Sequence, residues 1–112
     1  VRAFSLHPGG IMTPLQRHLP RAEMVSFGWC DEEGNVLGAF KTPEQGAATQ
    51  VRAATAPALA GLGGLYCEDC DITEVTPAEA GHGVREHAVD PAEAQRLWQL
   101  SADLTGVDAF AR

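Results

Sequence analysis

A chain of 112 residues, 45% hydrophobic and 21% charged, has the size and balance of one modest globular domain with a single core. Fifteen acidic residues against eight Lys plus Arg leave a net charge of −7, which repels phosphate backbones and supplies no basic stripe, so nucleic-acid binding is not expected. No apolar run reaches the roughly 20 residues of a bilayer span, and the first residues lack the plan of a secretion leader. Three cysteines, an odd and sparse set, read as reduced thiols, so the expectation is a cytoplasmic protein without membrane contact.

Residues 1–7, VRAFSLH, suit a short strand with Val1, Ala3 and Ser5 on one face and Arg2, Phe4 and Leu6 on the other. The strand opens without a methionine or any lead-in, so the chain reads as part of something longer. In LHPGGIMT, residues 6–13, Pro8 cannot donate to a ladder and Gly9-Gly10 can take backbone angles that other residues avoid; the strand should leave the sheet sharply there. From Thr13 to Phe40 the pattern is broken by Pro14, Pro20, Gly28, Gly34 and Gly38. Helical turns fit Leu15–Leu19 and Glu23–Phe27, and DEEGN at 31–35 fits a surface turn. A connection this long inside one domain is usually functional.

The clearest helix follows in FKTPEQGAATQVRAATAP: Thr42 caps, Pro43 fits the first turn, Gln45 completes a T-x-x-Q capping box, and Pro57 ends it near Ala56. Its expected inner stripe is Ala47, Val51 and Ala54, with Ala48 and Thr55 beside it. A second strand is expected near Leu65–Cys67, then an irregular polar stretch from Asp71 to Val89. Asp90 opens a last helix with the stripe Ala94, Leu97, Trp98, Ser101 and Leu104, stopped by Gly106. Strand, loop, helix and strand form a crossover unit, which pairs its strands in parallel and places the chain among α/β folds.

Cys67, Cys70, His82 and His87 stand at C-x2-C-x11-H-x4-H, close to a zinc-finger spacing. They define the alternative reading, an autonomous small binding module stabilised by Zn2+. Pro77 inside the interval and glycines on both sides of His82 oppose the helix such a finger needs. CEDC as a redox pair is opposed by Glu68, Asp69 and Asp71, which disfavour thiolate. GLGGLY lacks the third glycine of a dinucleotide fingerprint and does not open a helix. The single Lys41 and single Tyr66 are too far apart for a Tyr-x-x-x-Lys pair. His7 reads as a hydrogen-bonded structural histidine, and Phe27, Trp29 and Phe40 as a hydrophobic lid or core.

LHPGGIMT, FKTPEQGAAT, GGLYCEDC and the terminal DPAEAQRLWQLSADLTG, in this order, resemble the C-terminal portion of the short-chain dehydrogenase/reductases, most closely the retinol-dehydrogenase and WW-domain-oxidoreductase branch. The likeness covers nearly the whole chain. It implies that residues 1–112 form the C-terminal segment of one NAD(P)-binding, Rossmann-like, doubly wound parallel sheet: its last two strands, a crossover helix and a C-terminal helix. It further implies that Pro8, Gly9, Ile11 and Thr13 lie along the nicotinamide half of NAD or NADP, with backbone approach at the glycine, backbone bonds at Ile11 and the Thr13 hydroxyl available. Met12 and Leu15 would begin a substrate loop over about 12–40.

The family's phosphate-binding turn, Asn, Ser and Tyr-x-x-x-Lys precede this region, so the resemblance gives the chain no catalytic residue of its own and no activity alone. Its implied partners are the N-terminal half of the same domain and a small alcohol or carbonyl substrate. An unpaired first strand should also favour self-association.

Overall fold

Alternation decides the first strand. Phe4–His7 form β1, with Phe4 and Leu6 half-buried and Ser5 and His7 exposed on the opposite face. The structure, a computed structural model, describes residues 2–38 and 40–110; the face expected for Val1 lies outside them. After β1 the chain makes a 3-10 turn at Pro14–His18 and a short helix α1 at Arg21–Ser26, where helical turns were expected. It then enters the main helix α2, Pro43–Thr55.

The strand that follows, β2 at Leu65–Glu68, runs parallel to β1 in the register Phe4↔Leu65, Ser5↔Tyr66, Leu6↔Cys67 and His7↔Glu68. Registered residues of a parallel pair share a face. Phe4, Leu6, Leu65 and Cys67 therefore make the apolar side, and Ser5, His7, Tyr66 and Glu68 the polar one. Helix α2 packs on both strands.

The sheet has a third strand, in a stretch whose polar pattern predicts irregular chain. β3, Asp71–Ile72, pairs antiparallel with β2, giving the order β1-β2-β3; among the described residues no strand pairs with the outer edge of β1. The two-residue connection puts Asp69 at φ 47° and Cys70 at φ 62°. Both are left-handed, the conformation of a tight hairpin turn that normally calls for Asn-Gly or Asp-Gly. An Asp-Cys pair does not announce it.

The T-x-x-Q box of α2 forms as expected: Thr42 Oγ1 accepts from Gln45 N at 3.2 Å, and Thr42 N donates to Gln45 Oε1 at 2.9 Å. The inner face differs from expectation. Val51 is 59% exposed, and the buried positions are Gly46 and Thr49, with Ala53 and Ala56 half-buried below them. Its apolar residues other than Val51 are alanines, so hydrophobic periodicity says little about which side turns inward. Clearance and hydrogen bonding decide instead. A Cβ on Gly46 would overlap Ile11 Cδ1, and the Thr49 hydroxyl, 1% exposed, receives the Cys70 N–H at 3.1 Å.

Two compact units divide the chain, Val1–Ile72 and Thr73–Arg112. In the first, Cys30, Leu59, Cys67 and Thr49 are the buried side chains among the described residues. In the second, Val84 is buried, and Val75 and Val84 form a parallel bridge within the stretch expected to be irregular. Arg85 organises the loop around this bridge, its guanidinium donating to the carbonyls of Thr76, Pro77, Ala78 and His82 and to Thr76 Oγ1. Helix α3, Pro91–Thr105, is capped by Asp90 and ended by Gly106 at φ 69°, as the sequence indicates. Its apolar residues Leu97, Leu100 and Leu104 are exposed within this chain.

Candidate functional site

The carboxyl end of the parallel pair gathers the residues of interest. β1 ends at His7, Pro8 breaks the ladder, and Gly9 turns the chain at φ 94°, a value that favours glycine. The segment then runs beside the entrance to α2. Lys41 N donates to Gly10 O at 2.9 Å, and Ile11 and Lys41 form a parallel bridge. Ile11 lies on the bare backbone of Gly46, which fixes the direction in which the chain leaves the sheet.

Thr13 then caps the 3-10 turn through a second T-x-x-Q box. Its N–H donates to Gln16 Oε1 at 2.9 Å, its hydroxyl accepts from Leu15 N at 3.2 Å, and the Gln16 amide donates back to Ile11 O at 3.3 Å. Pro8, Gly9, Ile11 and Thr13 thus stand in one continuous, internally braced turn. The Thr13 hydroxyl and the Ile11 carbonyl are engaged within it. Met12 is half-buried, while Leu15 is 79% exposed at the tip of the 3-10 turn.

Residues 12–38 and Phe40 fold back toward this turn through aromatic contacts. Phe27 and Trp29 lie 5.2 Å apart, and Trp29 meets Phe40 edge-on at 6.2 Å. A Cβ at Gly10 would stand 3.5 Å from the Phe40 ring, so this aromatic chain ends beside the glycine turn. Cys30 is buried at 5% exposure and bridges to Val36. Asp31 accepts from the Asn35 backbone and side chain, and the latter bond leads in holding its carboxyl below the usual range. The aromatic contacts and the surface turn are both present.

On the other side of the turn sits a pair that motif reading did not single out. Lys41 Nζ forms an ion pair with Asp69 Oδ1 and donates to Pro8 O at 3.2 Å. The Lys41 hydrogen bond and charge, in that order, hold the Asp69 carboxyl below its ordinary value, with His7 adding a smaller effect. The sign follows. The charged pair is fully present above the ordinary aspartate range and is lost only as pH falls through the lowered value. Gln45, Ala48 and Cys70 complete a small cleft of about 280 Å³ around the pair. Lys41, the one lysine of the chain, was legible as unusual but not as a partner of a residue 28 positions away.

Tyr66 lies on the polar face of the sheet, where its hydroxyl donates to Glu68 Oε1 at 3.0 Å. Burial first, and then the Glu68 hydrogen bond and charge, raise its phenol above the ordinary value. That is the direction opposite to an activated proton relay. A groove of about 550 Å³, lined by Phe4, Leu6, Ala53, Ala54 and Leu59 among others, runs beside β1 and the second half of α2; none of Pro8 to Leu15 lines it.

The Cys/His alternative gains no support. Cys67 is 3% exposed in β2, Cys70 lies 3.8 Å from the Thr49 hydroxyl, and among the described residues no three His, Cys, Asp or Glu side chains gather in a way that could hold a metal ion. Among those residues, too, no helix is long and apolar enough to cross a membrane.

No family model and no solved structure matches the chain. Curated proteins do. The chain is 47% identical over 109 residues to a probable oxidoreductase of Streptomyces lividans, covering 92% of this chain and 36% of that protein. It is 40% identical over 104 residues to the short-chain dehydrogenase/reductase prx1 of Penicillium rubens, covering 90% and 29%. It is 31% identical over 109 residues to retinol dehydrogenase 14 of Homo sapiens, covering 91% and 27%. The chain spans about a third of the length of the curated relatives it matches. With a parallel strand pair, a glycine turn at its carboxyl end and relatives that agree in kind, the chain belongs to the short-chain dehydrogenase/reductase family, as a C-terminal portion of it.

Proposed function

We propose that the chain supplies the nicotinamide edge and the substrate loop of an NAD(P)-dependent oxidoreductase acting on a small alcohol or carbonyl compound. In this reading β1, α2 and β2 are the closing crossover of a Rossmann-like, doubly wound sheet, whose remaining strands and phosphate-binding turn belong to sequence outside this chain. The observation that carries it is the Pro8–Gly10 turn: two consecutive glycines, left-handed at Gly9, placed at the carboxyl end of a parallel pair. Ligands of open α/β sheets bind at that end. A glycine backbone braced by Lys41 and Ile11 fits the flat face of a nicotinamide, which needs close approach and fixed polar groups.

When bound, the cofactor supplies or accepts hydride at its nicotinamide ring. Within this chain the Gly9–Thr13 backbone orients that ring. The Thr13 hydroxyl, which accepts the Leu15 N–H in the cap, keeps a second lone pair for a carboxamide N–H, beside the main chain. Met12, Leu15 and the Phe27–Trp29–Phe40 cluster shape and dry the substrate side. The acid/base groups come from outside the chain, and residues 1–112 alone are inactive. The three unpaired thiols suit a reducing cytoplasmic setting.

The test is a paired assay. A complete oxidoreductase carrying this chain should interconvert alcohols and carbonyls with NAD(H) or NADP(H), while residues 1–112 alone should show no turnover. Turnover by the isolated chain, or a complete enzyme indifferent to both nucleotides, would overturn the proposal.

Alone, the chain also presents the outer edge of β1, a ready template for a second copy. Sedimentation is expected to show a mass that rises with concentration. A fixed monomer mass at high concentration contradicts this.

A further inference from the structure

We infer that Lys41 and Asp69 form a latch that sets the position of the glycine turn, and that Lys41 is thereby a positioning residue for the nicotinamide. The inference rests on the proposed function for the ligand and on geometry for the latch itself.

Lys41 holds the turn at three levels. Its backbone N–H donates to Gly10 O at 2.9 Å. Its aliphatic stem lies across Gly9 so closely that a Cβ there would meet Cδ, Cε and Nζ at 2.8 Å. Its ammonium donates to Pro8 O at 3.2 Å and pairs with Asp69. The Pro8 carbonyl is the last acceptor before the chain turns. An ammonium fixed on it sets the peptide plane between Pro8 and Gly9, and with it the direction of the following amides.

Asp69 is held where the latch needs it. It occupies the first left-handed position of the hairpin turn, φ 47°, with Cys70 at φ 62° beside it. Two consecutive non-glycine residues in this region are costly and persist only where surrounding structure determines them. Two contacts do so: the Thr49 hydroxyl accepts the Cys70 N–H, and Lys41 takes the Asp69 carboxylate. The strained turn thereby carries a carboxylate from the β2–β3 hairpin to the exit of β1.

The pair does little for the stability of the whole fold. The Asp69 side chain is 80% exposed and that of Lys41 26%, and exposed ion pairs contribute little. Its effect is local.

That separation makes the inference testable in the complete oxidoreductase carrying this chain. Lys41→Met removes the cation while keeping the stem, and Asp69→Asn removes the anion while keeping a residue that tolerates the left-handed backbone. Two readouts apply: hydrogen exchange of the 9–13 amides, with the α3 amides as reference, and cofactor KM against kcat. Both variants are expected to speed exchange at 9–13 and not in α3, and to raise cofactor KM by up to about fivefold, the upper end of what a partly exposed ion pair contributes, with kcat at saturating cofactor nearly unchanged.

Unchanged exchange at 9–13 in Lys41→Met overturns the latch. Faster exchange at 9–13 with an unaltered cofactor KM upholds the latch and removes instead the assignment of this turn to the nicotinamide.

Discussion

Replacing Gly46 by valine is expected to lower stability by about 3 kcal/mol, the upper end of the cost of overpacking a closed contact. Gly46 is buried in the first turn of α2, and Ile11 lies directly on its backbone. Ile11 cannot withdraw freely, because it is bridged to Lys41 on one side and its carbonyl accepts from Gln16 on the other. Alanine is the informative comparison. Intrinsic helix propensity favours Ala over Gly by about 1 kcal/mol, so a free position would be stabilised. Here even one Cβ overlaps Ile11, and Gly46→Ala is expected to destabilise despite the propensity gain. Urea unfolding of both variants checks this. A stabilised Gly46→Ala would show that Ile11 moves aside at no cost, and the bracing of the glycine turn by α2 would have to be given up.

Arg85→Ala is expected to cost about 2 kcal/mol, since hydrogen bonds from a charged donor are worth about 1.5–3 kcal/mol each when partly buried and water replaces some of those lost. One guanidinium serves four carbonyls and the Thr76 hydroxyl. Thr76 in turn crowds Gly83, which sits at φ 83° with no room for a side chain, so the loop closes on itself around this one cation. The damage should stay in the second unit. Hydrogen exchange is expected to accelerate across residues 75–85 while the β1 and β2 amides keep their protection. Lys in place of Arg should not rescue the loop, because a single ammonium cannot span acceptors arranged for a planar fork. Uniform acceleration through both units would contradict the division of the chain at Ile72.

What the sequence made legible was local. The alternation of Phe4 to His7, the T-x-x-Q box at Thr42, the Asp90 cap and the Gly106 stop each depend on residues within a few positions of one another, and each forms as read. The same T-x-x-Q signal stands at Thr13 to Gln16 and could have revealed the second capping box. The inner face of α2 was not legible, because its apolar residues are nearly all alanine and its one large one, Val51, faces out, and the choice falls to Ile11 and Cys70, which come from the turn after β1 and the β2–β3 turn. β3 escaped because it has two residues and follows a left-handed Asp-Cys turn. The Lys41–Asp69 pair joins a helix entrance to a hairpin tip, and neither residue carries a pattern that points to the other. Of the candidate site, Pro8 to Thr13 was legible as a sharp turn, and its nicotinamide role came from resemblance; what braces it required the fold.

The glycine backbone after β1 is expected to meet the nicotinamide. The most direct measurement is a crystal structure of a complete oxidoreductase carrying this chain with oxidised NAD or NADP bound. The account predicts the nicotinamide carboxamide about 3 Å from main-chain atoms of residues 9–13, hydrogen-bond distance. A nicotinamide bound away from that turn, with residues 9–13 facing only solvent or protein, would contradict it.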